Sequence, residues 1–149
     1  MTTAMSTQET YEALEHELGV LMRRSRAVSD QLSRAVHPEL ESGAYGLLVR
    51  LRERGVVRPS ELAEYVGVGK ATISRQLKVL EELGLIERRP DPADGRAHLL
   101  SLTDEGRRRL DSVRQARRDH FHARLGTWPE DDVRDLARLL ARLNDVQPG

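Results

Sequence analysis

Residues Arg58 to Gly106 read RPSELAEYVGVGKATISRQLKVLEELGLIERRPDPADGRAHLLSLTDEG, and this stretch decides the fold. Two segments near its start, ELAEYV and ISRQLKVL, carry apolar residues on one helical face, which is typical of short amphipathic helices. Ser60 is the expected N-cap of the first helix. The run Gly67-Val68-Gly69 separates the two segments, and Gly84 ends the second. Two short helices joined by a tight glycine turn predict a helix-turn-helix.

A turn-rich sequence, PDPADG, follows this pair of helices and lies between two extended-looking runs. The runs are Ile86 to Arg89 and Arg96 to Leu102, and together with the turn they predict a β-hairpin. Thr103 is expected to cap the next helix. The predicted fold class is therefore mainly α, a winged helix-turn-helix of about six helices with a small β-hairpin wing.

Long helices are predicted on the N-terminal side of this stretch. Ser6 followed by Glu9 indicates a capping box, after which a nearly heptad-like apolar stripe favours packing along another helix. A second helix is marked by apolar residues from Leu40 to Leu51 and is expected to end at Gly55.

The last helix carries a similar stripe, and Thr127 with Glu130 indicates a second capping box at its start. A single small core cannot bury both stripes, so we expect a homodimer that forms through the first and last helices. This interpretation assigns residues 1–36 and 104–149 to dimerisation and residues 37–103 to the winged helix-turn-helix lobe, within one compact domain overall. The expected dimer-interface residues are Leu14, Leu18, Leu21, Val133, Leu136, Leu140 and Leu143.

Composition excludes several classes of protein. The chain has 149 residues, 38% of them hydrophobic, and no cysteine, which excludes disulfides, thiolate zinc sites and thiol-based redox sensing. No run approaches the roughly 20 apolar residues that span a bilayer, and the start MTTAMSTQET lacks the features of a secretion leader. We therefore expect a cytoplasmic protein with no membrane partner.

The charge balance is neutral, but the basic residues are unevenly placed. There are 24 basic and 24 acidic residues, yet the segment from Gly69 to Leu80 contains Lys70, Arg75 and Lys78 and no acid. Salt limits the reach of a surface charge to roughly 8 to 10 Å, so acids on distant helices do not cancel a basic face.

The second helix of the predicted helix-turn-helix has the side chains that a DNA-reading helix needs. With Ile73, Leu77 and Leu80 turned inward, its outer face is small, hydroxylated and cationic. Small residues allow close approach to a major groove, hydroxyls bond phosphates or base edges, and arginine bonds guanine bidentately. An isolated charged face is more often simply solvated, but the partner helix and the wing favour DNA binding. The outward residues are Ala71, Thr72, Ser74, Arg75 and Lys78.

Two interpretations apply to the tip of the hairpin. Asp94 and Arg96 form either an ordinary surface ion pair or a wing pair, in which Arg96 enters a minor groove while Asp94 holds its direction. Arg88 and Arg89 on the leading strand would then lie within reach of phosphates. For His98, a phosphate contact and plain solvent exposure remain alternatives.

The run from Arg58 to Gly106 resembles the DNA-binding lobe of the multiple antibiotic resistance regulator (MarR) family. The family's wing signature is an aspartate, one residue, an arginine, five residues, then leucine-threonine and a glycine. The resemblance implies an obligate homodimer with interlocked first and last helices, a recognition helix in each major groove, a wing arginine in each flanking minor groove and often a ligand pocket between the two lobes. The matching signature residues are Asp94, Arg96, Leu102, Thr103 and Gly106, and the implied helix-turn-helix contacts are Ser60, Lys70, Thr72, Ser74, Arg75 and Lys78.

The expected function is that of a sequence-specific regulator of transcription that binds double-stranded DNA. The sequence holds no nucleophile motif, phosphate-binding glycine loop or metal triad, so we expect neither catalysis nor a cofactor. His120 and His122 lie about 200° apart on one helix, which disfavours a zinc site. Repression at a pseudo-palindromic operator, with release by a small-molecule effector, is the favoured mode, although an activator would have the same sequence features. The alternative is a winged-helix scaffold that binds proteins and not DNA.

Overall fold

The computed structural model describes residues 4–146 of the chain. Six helices and one two-stranded antiparallel sheet occur within this range, which confirms the predicted fold class. The chain forms two compact units, Met1–Val113 and Arg114–Gly149. The elements are α1 (Thr7–Val36), α2 (Ala44–Arg54), α3 (Pro59–Val66), α4 (Lys70–Glu82), β1 (Ile86–Asp91), β2 (Asp94–Leu102), α5 (Asp104–Leu125) and α6 (Glu130–Asn144).

The start of α1 has the predicted capping box. The Glu9 amide donates to Ser6 Oγ at 3.2 Å, and the Ser6 amide donates to Glu9 Oε2 at 2.7 Å. These two bonds satisfy N–H groups that the first turn of a helix otherwise leaves unpaired. The Glu9 pKa is lowered, chiefly by the bond that its carboxylate accepts from the Ser6 backbone.

Two predicted helix starts were wrong. Ser60 is not an N-cap, because α3 begins at Pro59 and Arg58 occupies the cap position. Proline suits the first helical position, since its ring already sets the required φ. Thr127 is not the cap of α6 either, because Pro129 directly precedes the first helical residue.

The predicted start of the second helix was also too early. Leu40 is buried but lies outside α2, which begins only at Ala44. Gly43 adopts a φ of 93°, a left-handed conformation that separates Leu40 from the helix. The predicted end of the helix is confirmed, because α2 stops at Arg54 and the Gly55 amide caps it by donating a hydrogen bond to the Leu51 carbonyl.

The core of the first unit is made mainly of aliphatic side chains from the end of α1, from α2, α3 and α4, from the hairpin and from the start of α5. The helix-turn-helix contributes its inner residues to this core, and the first turns of α5 close it. Its fully buried side chains include Leu47, Leu48, Leu51, Leu62, Ile73, Leu77, Leu80, Leu85, Leu100 and Leu110.

The leucine-threonine and glycine of the wing signature join the hairpin to α5. Thr103 Oγ1 donates to the Gly84 carbonyl at 2.6 Å and accepts the Gly106 amide at 3.0 Å, so it caps α5 as predicted. A Cβ on Gly106 would lie 2.0 Å from the Leu85 carbonyl oxygen. Only glycine therefore fits where α5 passes the end of the helix-turn-helix.

The hairpin, residues 86–102, is the wing. Its two strands pair antiparallel from Ile86 opposite Leu102 outward to Asp91 opposite Asp94, and the register shifts between Pro90 and Asp91. Val57 adds an isolated bridge to Leu100 on the other edge of β2. No sequence pattern indicated this bridge, which attaches the base of the wing to the segment that leads into α3.

Within the first unit, α1 exposes most of its apolar side chains. Only Ser33 and Val36 of its 30 residues are buried, whereas Leu14, Leu21 and Val28 are exposed. The buried part is its C-terminal end, where Ser33 Oγ accepts the Tyr45 amide at 3.1 Å.

The second unit consists of the end of α5 and the whole of α6. None of the residues of α6 is buried, and Leu136, Leu139 and Leu143 are exposed although they lie on its apolar side. Phe121 and Trp128 are also about half exposed. No helix within residues 4–146 is long and apolar enough to cross a membrane.

Candidate nucleic-acid interface

Helix α4 presents the outer face that its sequence predicts. Ile73, Leu77 and Leu80 are buried, which turns the opposite side of the helix to solvent. Lys70 is the first residue of the helix and is also exposed. The outer face therefore combines short side chains with cations at the length and spacing of a groove-reading helix. Its exposed members are Ala71, Ser74, Arg75 and Lys78, with Thr72 partly exposed.

Acidic residues lie closer to this face than the sequence suggested. Glu41, from the loop before α2, approaches Arg75 with its Oε2 3.8 Å from Arg75 Nη2. Glu82, one turn along α4, has its Oε1 4.0 Å from Lys78 Nζ. The segment between Gly69 and Leu80 contains no acid, but folding and the next helical turn supply two. All four side chains are more than 60% exposed, so these pairs are weak and open to exchange for phosphate.

The other helix-turn-helix residue that the resemblance implies, Ser60, lies in the first turn of α3 and is exposed. The first turn of a helix directs unpaired amides outward, and a serine beside them suits a phosphate oxygen. Its role in DNA binding stays a prediction.

On the wing, Arg88 and Arg89 are exposed but occupied by neighbouring acids. Arg88 Nε lies 3.4 Å from Glu81, and Arg89 Nη2 donates to Glu87 at 2.6 Å. Adjacent residues on a strand point to opposite faces, so the two arginines extend from opposite faces of the wing. His98 is exposed opposite Pro90, which leaves both interpretations of this histidine open.

At the wing tip, Asp94 contacts the backbone of Arg96 and not its guanidinium, while the minor-groove contact of Arg96 stays a prediction. Asp94 Oδ1 accepts the backbone amide of Arg96 at 3.1 Å, and no ion pair between the two side chains occurs within the described part of the chain. Aspartate commonly bonds the amide two residues on in this way, because the bond stabilises a turn. Asp94 thus shapes the turn that carries Arg96 instead of holding its guanidinium.

Sequence reasoning missed a second aspartate near the tip. Asp91 is 6% exposed, and its carboxylate accepts the Ala93 amide at 2.9 Å and Arg58 Nη2 at 2.8 Å. Chiefly through the Ala93 bond, the pKa of Asp91 lies below its ordinary value. The turn-forming aspartate was visible in PDPADG, but its partner, 33 residues earlier, was not.

Charged side chains also join the helices that carry the lobe. Arg52 Nε donates to Asp111 at 3.0 Å, linking α2 to α5, and Arg109 Nη1 donates to the Val36 carbonyl at 3.1 Å, linking α5 to the end of α1. Glu105 accepts bonds from Arg108 and Arg109, which lower its pKa to about 2. These contacts hold the end of α1 against the first turns of α5.

Each unit has a concave site among its described residues. The first, of about 90 Å³, lies between the loop before α2 and α4, where Leu40, Ala44 and Val79 line it and Glu41 and Arg75 border it. The second, of about 430 Å³, is lined by residues of the second unit that include Phe121, Trp128 and Val133. Residues 4–146 contain no group of three or more His, Asp or Glu side chains placed to hold a metal ion.

This geometry agrees with relationships to known proteins. Residues 40–98 match the MarR family model. The HTH-type transcriptional regulator YxaD of Bacillus subtilis is 34% identical over 140 residues, which cover 94% of this chain and 96% of the relative. The chain belongs to the MarR family.

Other proteins are similar to the chain in architecture or along most of its length. A mutant MarR from E. coli, solved in complex with operator DNA, is 25% identical with a TM-score of 0.66, covering 85% of this chain and 93% of that one. The HTH-type transcriptional repressor NicR of Pseudomonas putida is 28% identical over 90% of this chain and 84% of its own length. As a MarR-family protein, the chain is related to regulators of transcription along nearly its whole length.

Proposed function

We propose that this MarR-family chain is a sequence-specific DNA-binding repressor that acts as a homodimer on a pseudo-palindromic operator. The observation that carries the proposal is the two-sided character of α4, whose buried Ile73, Leu77 and Leu80 leave Arg75 and Lys78 exposed beside short side chains. A wing with an exposed arginine at its tip belongs to the same unit. The solved operator complex of the related MarR supports the same use of this architecture.

We assign the contacts with bases to the middle of α4, and the contacts that position the protein on DNA to residues around it. Arg75 has five N–H donors in a planar fork, which suits the two acceptors of guanine in the major groove. Lys70, Ser60, Lys78, Arg88 and Arg89 are assigned to phosphates, because contacts with phosphates fix the register of a protein on DNA. Arg96 is assigned to the minor groove, where the narrow walls concentrate negative potential.

The homodimer is proposed because each unit, taken by itself, has an exposed apolar face. Leu14 and Leu21 of α1 and Leu136 and Leu143 of α6 are between 41% and 51% exposed. Large clustered apolar side chains seldom stay in water in a soluble protein, and a second copy of the chain is the partner that a two-fold operator requires. Val133, Leu140 and Leu18, each partly buried, complete the proposed interface.

Repression follows from the size of such a dimer on DNA. Two recognition helices in successive major grooves occupy about one helical turn between their centres, and two wings extend the covered DNA on both sides. A promoter covered in this way is closed to other proteins. The relative NicR is named a repressor, which supports this direction of control. A small-molecule effector that releases the operator is the remaining proposed partner.

The proposal is tested by selecting duplexes from a random pool with the wild-type chain. We expect a recovered site with two inverted half-sites whose centres lie about 10 base pairs apart, bound by two chains per duplex. Binding is measured by fluorescence anisotropy across a salt series against a scrambled duplex of equal composition. A chain that enriches no sequence and binds neither duplex would favour the protein-binding scaffold instead, whereas equal binding of the two duplexes would contradict sequence specificity.

A further inference from the structure

The wing is attached to the rest of its unit at two separate places. At its base, the Val57 amide donates to the Leu100 carbonyl at 3.0 Å and the Leu100 amide donates back at 2.8 Å. Near its tip, Arg58 donates to Asp91 at 2.8 Å. A two-stranded hairpin by itself is only marginally stable. A second attachment far along the hairpin therefore restricts how it swings and twists about its base.

The attachment near the tip is unlike the other ion pairs of the described residues. Asp91 is 6% exposed, whereas the acid of every other pair within residues 4–146 is 34% exposed or more. Low exposure makes this pair matter more than the others, because a shielded carboxylate that loses its cation keeps the cost of its desolvation. Both Asp91 oxygens are engaged, Oδ2 by Arg58 and Oδ1 by the Ala93 amide.

Because of the position of Arg58, this contact links the wing to the start of α3. Arg58 is the N-cap of α3, a position where serine, threonine, aspartate or asparagine usually bonds the helix amides. Its side chain makes no capping bond and reaches the wing instead. Helix α3 leads directly through the glycine turn into α4, so the position of Arg58 is set by the helix-turn-helix that contains the recognition helix.

Asp91 also lies close to Arg96, the residue at the wing tip that is assigned to the minor groove. It pairs with Asp94 in the ladder, and Asp94 accepts the Arg96 amide at 3.1 Å. A short chain of contacts thus leads from the start of α3 through Asp91 and Asp94 to Arg96. The two DNA-reading elements, α4 and the wing tip, are coupled by side chains and not only by the base of the hairpin.

We propose that Arg58 and Asp91 form a clamp that sets the direction of the wing relative to α4, so that Arg96 reaches the minor groove when α4 occupies the major groove. This inference rests on the proposed function. Both are positioning residues, because their contribution to DNA binding passes through Arg96 and neither of them has to touch DNA.

The test uses Arg58→Met, since Arg58 is about half exposed and methionine retains much of its apolar stem. The probe is the duplex that the wild-type chain selects, made with A·T or with G·C pairs in the flanks where the wings lie. The wild type should prefer A·T flanks, because their narrow minor groove attracts arginine. Arg58→Met should reduce this flank preference to that of Arg96→Ala and weaken binding about fivefold, the size of one disturbed base-pair contact. Arg58→Lys should recover part of both.

A double-mutant cycle separates positioning from direct contact. In an Arg96→Ala background, Arg58→Met should cause no further loss, because the clamp then has no arginine to direct. Asp91→Asn sharpens the test further. Removal of a negative charge should tighten DNA binding if only the electrostatic field mattered, whereas loss of the clamp should weaken it on A·T flanks. Glu87→Gln, which breaks the exposed Arg89–Glu87 pair, is the matched control and should leave the flank preference unchanged.

Three results would overturn the clamp: an unchanged flank preference in Arg58→Met, an equal loss in the Arg96→Ala background, or a salt slope reduced by about one per chain, which would mark Arg58 as a phosphate contact. Thermal melts in the absence of DNA show whether each variant is folded. If Arg58→Met is unfolded, Arg58→Lys takes its place in the test. Failure of the wild type to select any duplex would instead overturn the proposed function itself.

Discussion

Replacement of Arg75 and Lys78 tests how α4 reads DNA, because the two residues lie one turn apart on the same exposed face. Arg75 stands opposite the buried Ile73 and Leu77 near the middle of the helix, where side chains meet base edges. Lys78 lies further along the helix, where we expect it to meet a phosphate of the DNA backbone. We expect Arg75→Ala to reduce sequence preference and Lys78→Ala to reduce affinity for any duplex.

The magnitudes follow from the contacts that each cation makes in the free chain. Loss of a bidentate guanine contact costs about 1 to 3 kcal/mol per half-site. Arg75 first has to leave Glu41, 3.8 Å away, but both side chains are about 70% exposed, so that pair is worth only about 0.2 to 1 kcal/mol. The base contact is the larger of the two: mid-range values of about 2 and about 0.6 kcal/mol leave about 1.4 kcal/mol, so Arg75→Ala should weaken operator binding about tenfold per half-site. By the same reasoning, Glu41→Gln should strengthen it slightly.

The assay is anisotropy on operator and scrambled duplexes across a salt series, with both variants and the wild type. Lys78→Ala should weaken both duplexes alike and lower the slope of log affinity against log salt by roughly 0.9 for each phosphate that is no longer neutralised. Arg75→Ala should lower affinity for the operator far more than for the scrambled duplex. Glu82→Gln is the matched control for Lys78, because it removes the acid 4.0 Å away and leaves the lysine in place.

Equal losses on operator and scrambled DNA for Arg75→Ala would show that Arg75 contacts phosphate and not bases. No loss for either variant would mean that α4 does not enter the groove, and the assignment of the recognition face would then be wrong.

Four further predictions concern the wing, the dimer and the scaffold. Arg96→Ala should weaken operator binding without changing the melting temperature, because a tip residue holds little of the core; unchanged affinity would contradict the minor-groove assignment. The melting temperature of the wild type should rise with protein concentration, as mass action requires of a dimer, and a folded monomer at micromolar concentration in sedimentation would contradict it. Glu105 has a folded-state pKa of about 2 against an ordinary 4.5, so its stabilisation is complete above pH 4.5 and is lost as pH falls toward 2. Melts of Glu105→Gln should accordingly differ from wild type at pH 7 and converge with it in acid. Gly106→Ala should destabilise by several kcal/mol in denaturant titrations, because its Cβ would meet the Leu85 carbonyl at 2.0 Å.

Local pattern was sufficient for the elements of the winged helix-turn-helix. The period of Ile73, Leu77 and Leu80 fixed the inner side of α4, and therefore its outer side, because a helix repeats every 3.6 residues. Thr103 and Gly106 likewise marked the junction of wing and α5. Helix ends were less secure: Pro59 and Pro129 displaced two predicted caps, since proline sets φ without needing a side-chain bond.

Pairings between distant residues were decided only by the tertiary structure. Three contacts define the candidate interface beyond its elements: Val57 with Leu100, Arg58 with Asp91, and Glu41 with Arg75. Each joins residues more than 30 positions apart. Periodicity describes how a segment meets water or a core, but it carries no information on which distant side chain lies opposite. The sequence by itself thus determined which faces are exposed, whereas packing of the core decided which charges meet on them and how the wing is held beside α4.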